Sequence, residues 1–207
     1  MMLRRAIPYI YLSIGCLVAL ATPTPIDTGS NQLQDSTSHD VARAASGGGP
    51  NPLGNLAVTL KQTSSKPPTI QVTVTNKNKY PVTVLSYDSP LDQLALPLGL
   101  LSITPAGSTK PIDLPIIRVK RVWPPRDDSL IVIKPGASAT SDIVLKDPPV
   151  PIKKLGRKAT VILRGRWTAV WPRSKDKLSK AEIENPSSSA FNGDFVTNPL
   201  EIKVSQY

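Results

Sequence analysis

The stretch TIQVTVT at residues 69–75 puts Ile70, Val72 and Val74 on one side of the chain and Gln71, Thr73 and Thr75 on the other. A period of two excludes a helix, whose faces repeat every ~3.6 residues, and specifies a strand with one buried face. The same signature recurs in LAVTL (56–60), YPVTVLSY (80–87), LLSIT (100–104), LPIIRVKRVW (114–123), SLIVI (129–133), ASATSDIVL (137–145), KATVILRGRWTAVW (158–171) and PLEIKV (199–204). Turn chemistry separates these runs: Asn76-Lys77-Asn78-Lys79, Pro105-Ala106-Gly107, Pro124-Pro125 and Lys134-Pro135-Gly136. The first of these turns predicts a β-hairpin over 69–87, with Val82 and Val84 inward and Pro81 at the first position of the returning strand, where no ladder donor is needed. Gly165 predicts a bend within the longest strand.

Only SKDKLSKAEIE (174–184) reads as helix, with Ser174 as its N-cap. Many short strands between Pro and Gly turns predict an all-β fold, an antiparallel β-sandwich with one short helix. Without a Cys…Trp…Cys spacing, the expectation is an immunoglobulin-like sandwich rather than an antibody-type domain.

The amino end has its own logic. Arg4 and Arg5 precede the apolar run IYLSIGCLVAL (10–20), and Ala19-Leu20-Ala21 offers a small-x-small cleavage site. Residues 1–21 therefore read as a secretory signal peptide, too short in its apolar part to span a bilayer. The one cysteine, Cys16, lies inside it, so the mature chain is expected to fold by burial alone, without disulfides. Residues 22–54 are rich in Ser, Thr, Pro and Gly and poor in large apolar groups; they read as a disordered linker. Residues 55–207 form the expected sandwich domain, about 150 residues, long enough to bury a core. The expected location is extracellular or in a cell wall.

The formal net charge is +10. Basic groups cluster at Lys110, Arg118, Lys120, Arg121 and Arg126, and again from Lys153 to Lys180. Nucleic acid is a partner to weigh for such a balance, but no recognition motif accompanies it and a secretory signal points elsewhere. The charge reads as a solvated surface, with anionic wall polysaccharide or an acidic protein as the partners it would suit.

A search for catalytic chemistry finds little. The single histidine, His39, lies in the linker, which removes a Ser-His-Asp triad and a zinc cluster from consideration. No phosphate-binding loop is present. Asp88 and Asp92 flank the loop DSPLD, and Asp127-Asp128 form a second acidic pair. Such pairs serve glycoside hydrolysis or calcium binding, but Asp and Ser before Pro are foremost turn formers. Val161, Leu163, Trp167, Ala169 and Trp171 make a continuous apolar row that reads as core. The rim residues Trp123, Arg164, Arg166, Trp171 and Arg173 are the candidate partner contacts. No catalytic, cofactor-binding or metal-binding residue is expected.

The order of strands and turns resembles the N-terminal propeptide domain of the deuterolysin family, secreted fungal metalloendopeptidases. Four pieces carry the resemblance: VTVTNKNKYPVTVLSYDSPLD, with its Leu85 to Leu91 or Leu94 segment; LSITPAG with IIRVKRVW; IVIKPGASATSDIVL; and RWTAVW followed by NPLEIKV. Together they span about residues 55–205. No position here matches the HExxH motif of that family's catalytic domain. The resemblance therefore implies a free-standing, monomeric binding protein, an inhibitor or folding aid for a deuterolysin-like protease supplied in trans. The alternative from the residues alone is a cell-surface or carbohydrate-binding module that uses its Trp and Arg rim. Lys120-Arg121 is a dibasic pair of the kind secretory processing proteases cut; inside an expected strand, it reads as structural.

Overall fold

The structure, a computed structural model, describes residues 50–205. The signal peptide, most of the linker, Cys16 and His39 lie outside the described residues.

Among the described residues, nine strands form: β1 (Leu56–Ser65), β2 (Pro68–Asn76), β3 (Val82–Leu85), β4 (Leu101–Pro105), β5 (Leu130–Ile133), β6 (Ser138–Val144), β7 (Lys158–Trp171), β8 (Phe191–Val196) and β9 (Leu200–Lys203). They build two antiparallel sheets. One has the order β1-β2-β6. The other has six strands organised around β7, which pairs β4 and β9 along its first half and β3 and β8 along its second, with β5 beyond β3.

The alternation in the sequence becomes the core. Ile70, Val72 and Val74 of β2 are fully buried. They pack with Ala159, Val161, Leu163, Trp167 and Val170 of β7; a register shift after Trp167 sends buried Ala169 and Trp171 to a second cluster with Leu85, Leu130 and Ala190. Each fully buried aliphatic side chain of this kind contributes about 1.5–3 kcal/mol. Trp167 stacks obliquely on Phe195 of β8, ring centroids 5.5 Å apart.

The expected hairpin does not form. Its two strands lie in different sheets: β2 pairs β1 and β6, whereas β3 pairs β5 and β7. Buried Asn76 is the reason. Its amide nitrogen donates to the carbonyls of Tyr80 and Ile133, 2.9 Å each, and its oxygen accepts from the Asn78 backbone N–H at 2.9 Å. Asn78, also buried, donates to the Pro52 carbonyl. These bonds steer the chain across the sandwich instead of back along its own sheet. They also draw Pro52 and Leu53 into the fold, within the stretch read as linker.

The expected strand over 114–123 is absent as well. The chain from 111 to 122 carries neither turn nor bend and belongs to no sheet. Pro111 and Pro115 lack ladder donors. Neighbouring residues point out together: Ile116 is 67% and Ile117 47% exposed, Val122 51% and Trp123 49%. A strand with one buried face cannot do that. The segment lies over the sandwich as a strap, tied by Ile112 N–H to the Ile103 carbonyl and by Ile117 N–H to the Pro97 carbonyl.

Two further departures are local. The expected helix is a 3-10 turn at Lys175–Lys177 followed by α1 (Lys180–Glu184). Its cap is Ser179, which forms a reciprocal capping box with Glu182, rather than Ser174. Gly165 does not end or break β7. A Cβ there would sit 2.7 Å from the Asp88 carbonyl oxygen and 3.0 Å from the Phe195 ring, so the glycine permits a close approach.

Candidate functional site

The loop after β3 supplies the most elaborate polar arrangement in the described residues. Asp88 takes a left-handed conformation, φ 58°, which Asp tolerates better than most residues. Its N–H donates to Asp92 Oδ2 at 2.7 Å, and Leu94 N–H donates to Asp92 Oδ1 at 2.9 Å. Ser89 closes the loop from within: its hydroxyl donates to the Ser86 carbonyl and accepts from Leu91 N–H. Asp92 is 4% exposed. Its charge is met by the Arg121 guanidinium, which comes from the strap, hydrogen-bonds Asp92 Oδ2 and lies 3.8 Å from Asp88.

Arg121 also sits over the Tyr87 ring, 4.7 Å from its centroid. The Tyr87 hydroxyl donates to the Val122 carbonyl at 3.2 Å, and the Tyr87 carbonyl accepts from Thr168 of β7. Loop, strap and central strand are thus stitched together at one place. Beside the stitch is a hollow of about 390 Å³, lined by Tyr87, Leu91, Asp92, Arg121, Asp128 and Ile131 among others. Its size lies within the range of small-molecule and side-chain sites, about 300–1,000 Å³.

This geometry decides what the acidic loop is for. Both oxygens of Asp92 are occupied by two backbone donors and a guanidinium, so it stands as the linchpin of a turn, not as a free acid or base. Asp127 pairs with Lys175. Asp128 is exposed on the rim of the hollow and accepts from the Ser129 hydroxyl. Among the described residues, no group of three or more His, Cys, Asp or Glu side chains is arranged to hold a metal ion.

The five candidate contacts from the sequence are not brought into one platform. Trp123 is half exposed, with its indole N–H donating to the Glu184 carbonyl of α1. Arg173 pairs with Glu182 on the same helix. Arg164 and Arg166 project from the outer face of β7, where Arg166 meets Asp194 and Asn192 of β8. Trp171 is a correction: it is fully buried, with its N–H on the Ser189 hydroxyl, because β7 shifts register after Trp167 and packs Trp171 in a second cluster with Leu85, Leu130 and Ala190. It offers no surface to a partner. Arg121 and Tyr87 are the residues that sequence reasoning missed. The signal that could have found them is the outward apolar neighbours Ile116-Ile117 and Val122-Trp123, which do not fit a half-buried strand.

The sequence matches the immunoglobulin-like domain family over residues 55–204. The chain belongs to this family. A relative from Arthroderma benhamiae, described as an uncharacterized secreted protein, is 32% identical over 155 residues, covering 72% of this chain and 78% of its own length. In this immunoglobulin-like domain the site is carried by the loop after β3 and the strap.

Proposed function

We propose that this chain is a secreted, non-enzymatic immunoglobulin-like protein that works by binding another protein through the strap, residues 116–123, and the hollow beside it. The observation that carries the reading is the strap itself. Ile116, Ile117, Val122 and Trp123 are each about half exposed or more; Ile117 precedes basic Arg118, and Val122 follows Arg121, which lines the hollow. Aromatic, apolar and Arg groups together on a surface are the composition of protein-binding hot spots. The secretory reading is supported by the signal-like amino end and by the relative described as secreted. The non-enzymatic reading is supported by the occupation of Asp92, which withdraws the loop's best carboxylate from chemistry.

The finer proposal for the partner is a secreted deuterolysin-like metalloprotease, which this domain inhibits or helps to fold; the resemblance of residues 55–205 to that family's propeptide supports it. A carbohydrate platform is less favoured, because two of the three Trp residues, Trp167 and Trp171, are buried. The test is titration of the purified protein against such a protease, reading both its activity and its refolding yield. Inhibition or improved refolding, lost in an Ile117→Asp/Trp123→Asp variant that still melts cooperatively, is the expected result. No effect on either quantity, with retention on cell-wall polysaccharide instead, overturns the proposal.

A further inference from the structure

We propose that the Arg121–Val122 bond is a processing site, cut by a secretory endoprotease specific for paired basic residues, and that the product is a two-piece molecule that stays folded. This rests on the secretory reading above.

The sequence at the bond is Arg118-Val119-Lys120-Arg121, basic at three of the four positions before the cut. Processing proteases bind such segments as an extended strand, so the segment must be free of its own sheet. Here it is. The chain from 111 to 122 has no turn, bend or strand, and residues 118–122 make no backbone–backbone hydrogen bond among the described residues. Arg118 and Lys120 are exposed. Of the other paired basic sites of the described residues, Lys153-Lys154 sits in a 3-10 turn between buried Ile152 and Leu155, and Arg157-Lys158 runs into β7, with the Arg157 carbonyl accepting from Val204 N–H and Lys158 paired with Lys203, so neither is presentable in that form.

One contact holds the site shut. Arg121, whose side chain the protease must take into its specificity pocket, is turned inward onto Asp92 and Tyr87, and the Val122 carbonyl is held by the Tyr87 hydroxyl. Cleavage therefore waits on release of the strap, and Tyr87 and Asp92 set its rate. In the reaction, water adds across the amide. The Arg121 carbonyl carbon takes the hydroxyl, the C–N bond breaks, and Val122 nitrogen takes the proton. A new carboxylate and a new amino group result. The pieces remain joined because β2–β6, β3–β5, β3–β7 and β4–β7 all pair across the cut.

The experiment exposes the purified full chain to a subtilisin-class dibasic-specific endoprotease and reads fragment masses. The expected result is one cut, after Arg121, with two fragments that co-elute in native gel filtration and separate in denaturing electrophoresis. Lys120→Ala is expected to abolish the cut at an unchanged melting temperature, and Tyr87→Phe to speed it several-fold. A native chain that resists cleavage at Arg121 while the denatured chain is cut there overturns the inference; so does cutting at Lys153-Lys154 or Arg157-Lys158 in preference. A second arm produces the protein in secretory hosts with and without the protease. Protein released but uncut in both overturns the inference and leaves secretion standing. Protein retained in the cells overturns secretion, and the purified-enzyme arm then decides the site alone.

Discussion

At the scale of single residues, Asp92 and Asp88 look alike in the sequence and differ in the fold. Asp92 is buried and holds three donors; Asp88 is half exposed and contributes mainly its backbone. Asp92→Ala is expected to cost about 2–3 kcal/mol, since it strands two backbone donors and a guanidinium. Asp88→Gly is expected to change stability by less than about 1 kcal/mol. Glycine relieves the left-handed backbone, which offsets its greater entropy loss on folding and the exposed 3.8 Å ion pair. Urea denaturation of both variants checks the pair; equal losses would contradict the division of labour. Gly165→Ala should cost about 1–3 kcal/mol by the same measurement, because the methyl meets the Asp88 carbonyl. That Asp88 and Asp92 serve a turn was legible from Asp and Ser before Pro. The role of Arg121 was not, because its partner is distant in sequence and the segment around it mimics a strand.

At the scale of elements, β7 is the most legible piece of the chain and the strap the least. The run 158–171 alternates as far as Trp167, where the register shifts, and the strand has the limits expected of it. Trp167→Ala is expected to cost about 3–5 kcal/mol through lost burial and the cavity left beside Phe195. Arg166→Ala on the opposite face loses only exposed contacts with Asp194 and Asn192 and should stay within about 1 kcal/mol. A larger loss in Arg166→Ala than in Trp167→Ala, read by denaturation, would put the strand out of register. Strand β8 went unread because Asn192-Gly193-Asp194 carries turn chemistry in its middle; it forms because β7 offers an open flank to pair. The short helix α1 depends on its cap. Hydrogen bonding from the Ser179 backbone, opposed by burial and aided by the Ser179 hydroxyl and Arg173, holds the Glu182 carboxyl below its ordinary range. A lowered folded value means that this contribution is complete above the ordinary glutamate pKa, about 4.3, and is lost as pH falls through the folded value. Amide protection at Ile183, corrected for intrinsic exchange, should therefore fall in acid; constant protection down to about pH 3 would contradict it.

At the scale of the whole molecule, the class of fold follows from local pattern, but the partition of strands between sheets does not. Period two says that TIQVTVT and PVTVL are strands; it is silent on whether a turn returns the chain to the same sheet or carries it across. The choice is made by Asn76 and Asn78, buried amides whose partners, Pro52, Tyr80 and Ile133, come from three other segments. Such a junction is visible only once the layers are stacked. It also fixes where the folded unit starts. Pro52 is buried and lends its carbonyl to Asn78, Leu53 packs on the core beside Leu56 and Val74, and the Tyr80 hydroxyl reaches the Pro50 carbonyl. A chain beginning at Pro50 is therefore expected to unfold in one cooperative transition with the stability of the mature protein. A chain beginning at Leu56 leaves one N–H of the Asn78 amide without its acceptor, the other remaining on Asn76 Oδ1, and removes the packing of Leu53. It should lose about 2–4 kcal/mol, a sum of one unsatisfied buried polar group and one apolar side chain. Thermal and urea unfolding of the two truncations decide the matter. Equal stability would mean that the junction closes without its amino-terminal segment, and that the crossing between sheets is held by Asn76 alone.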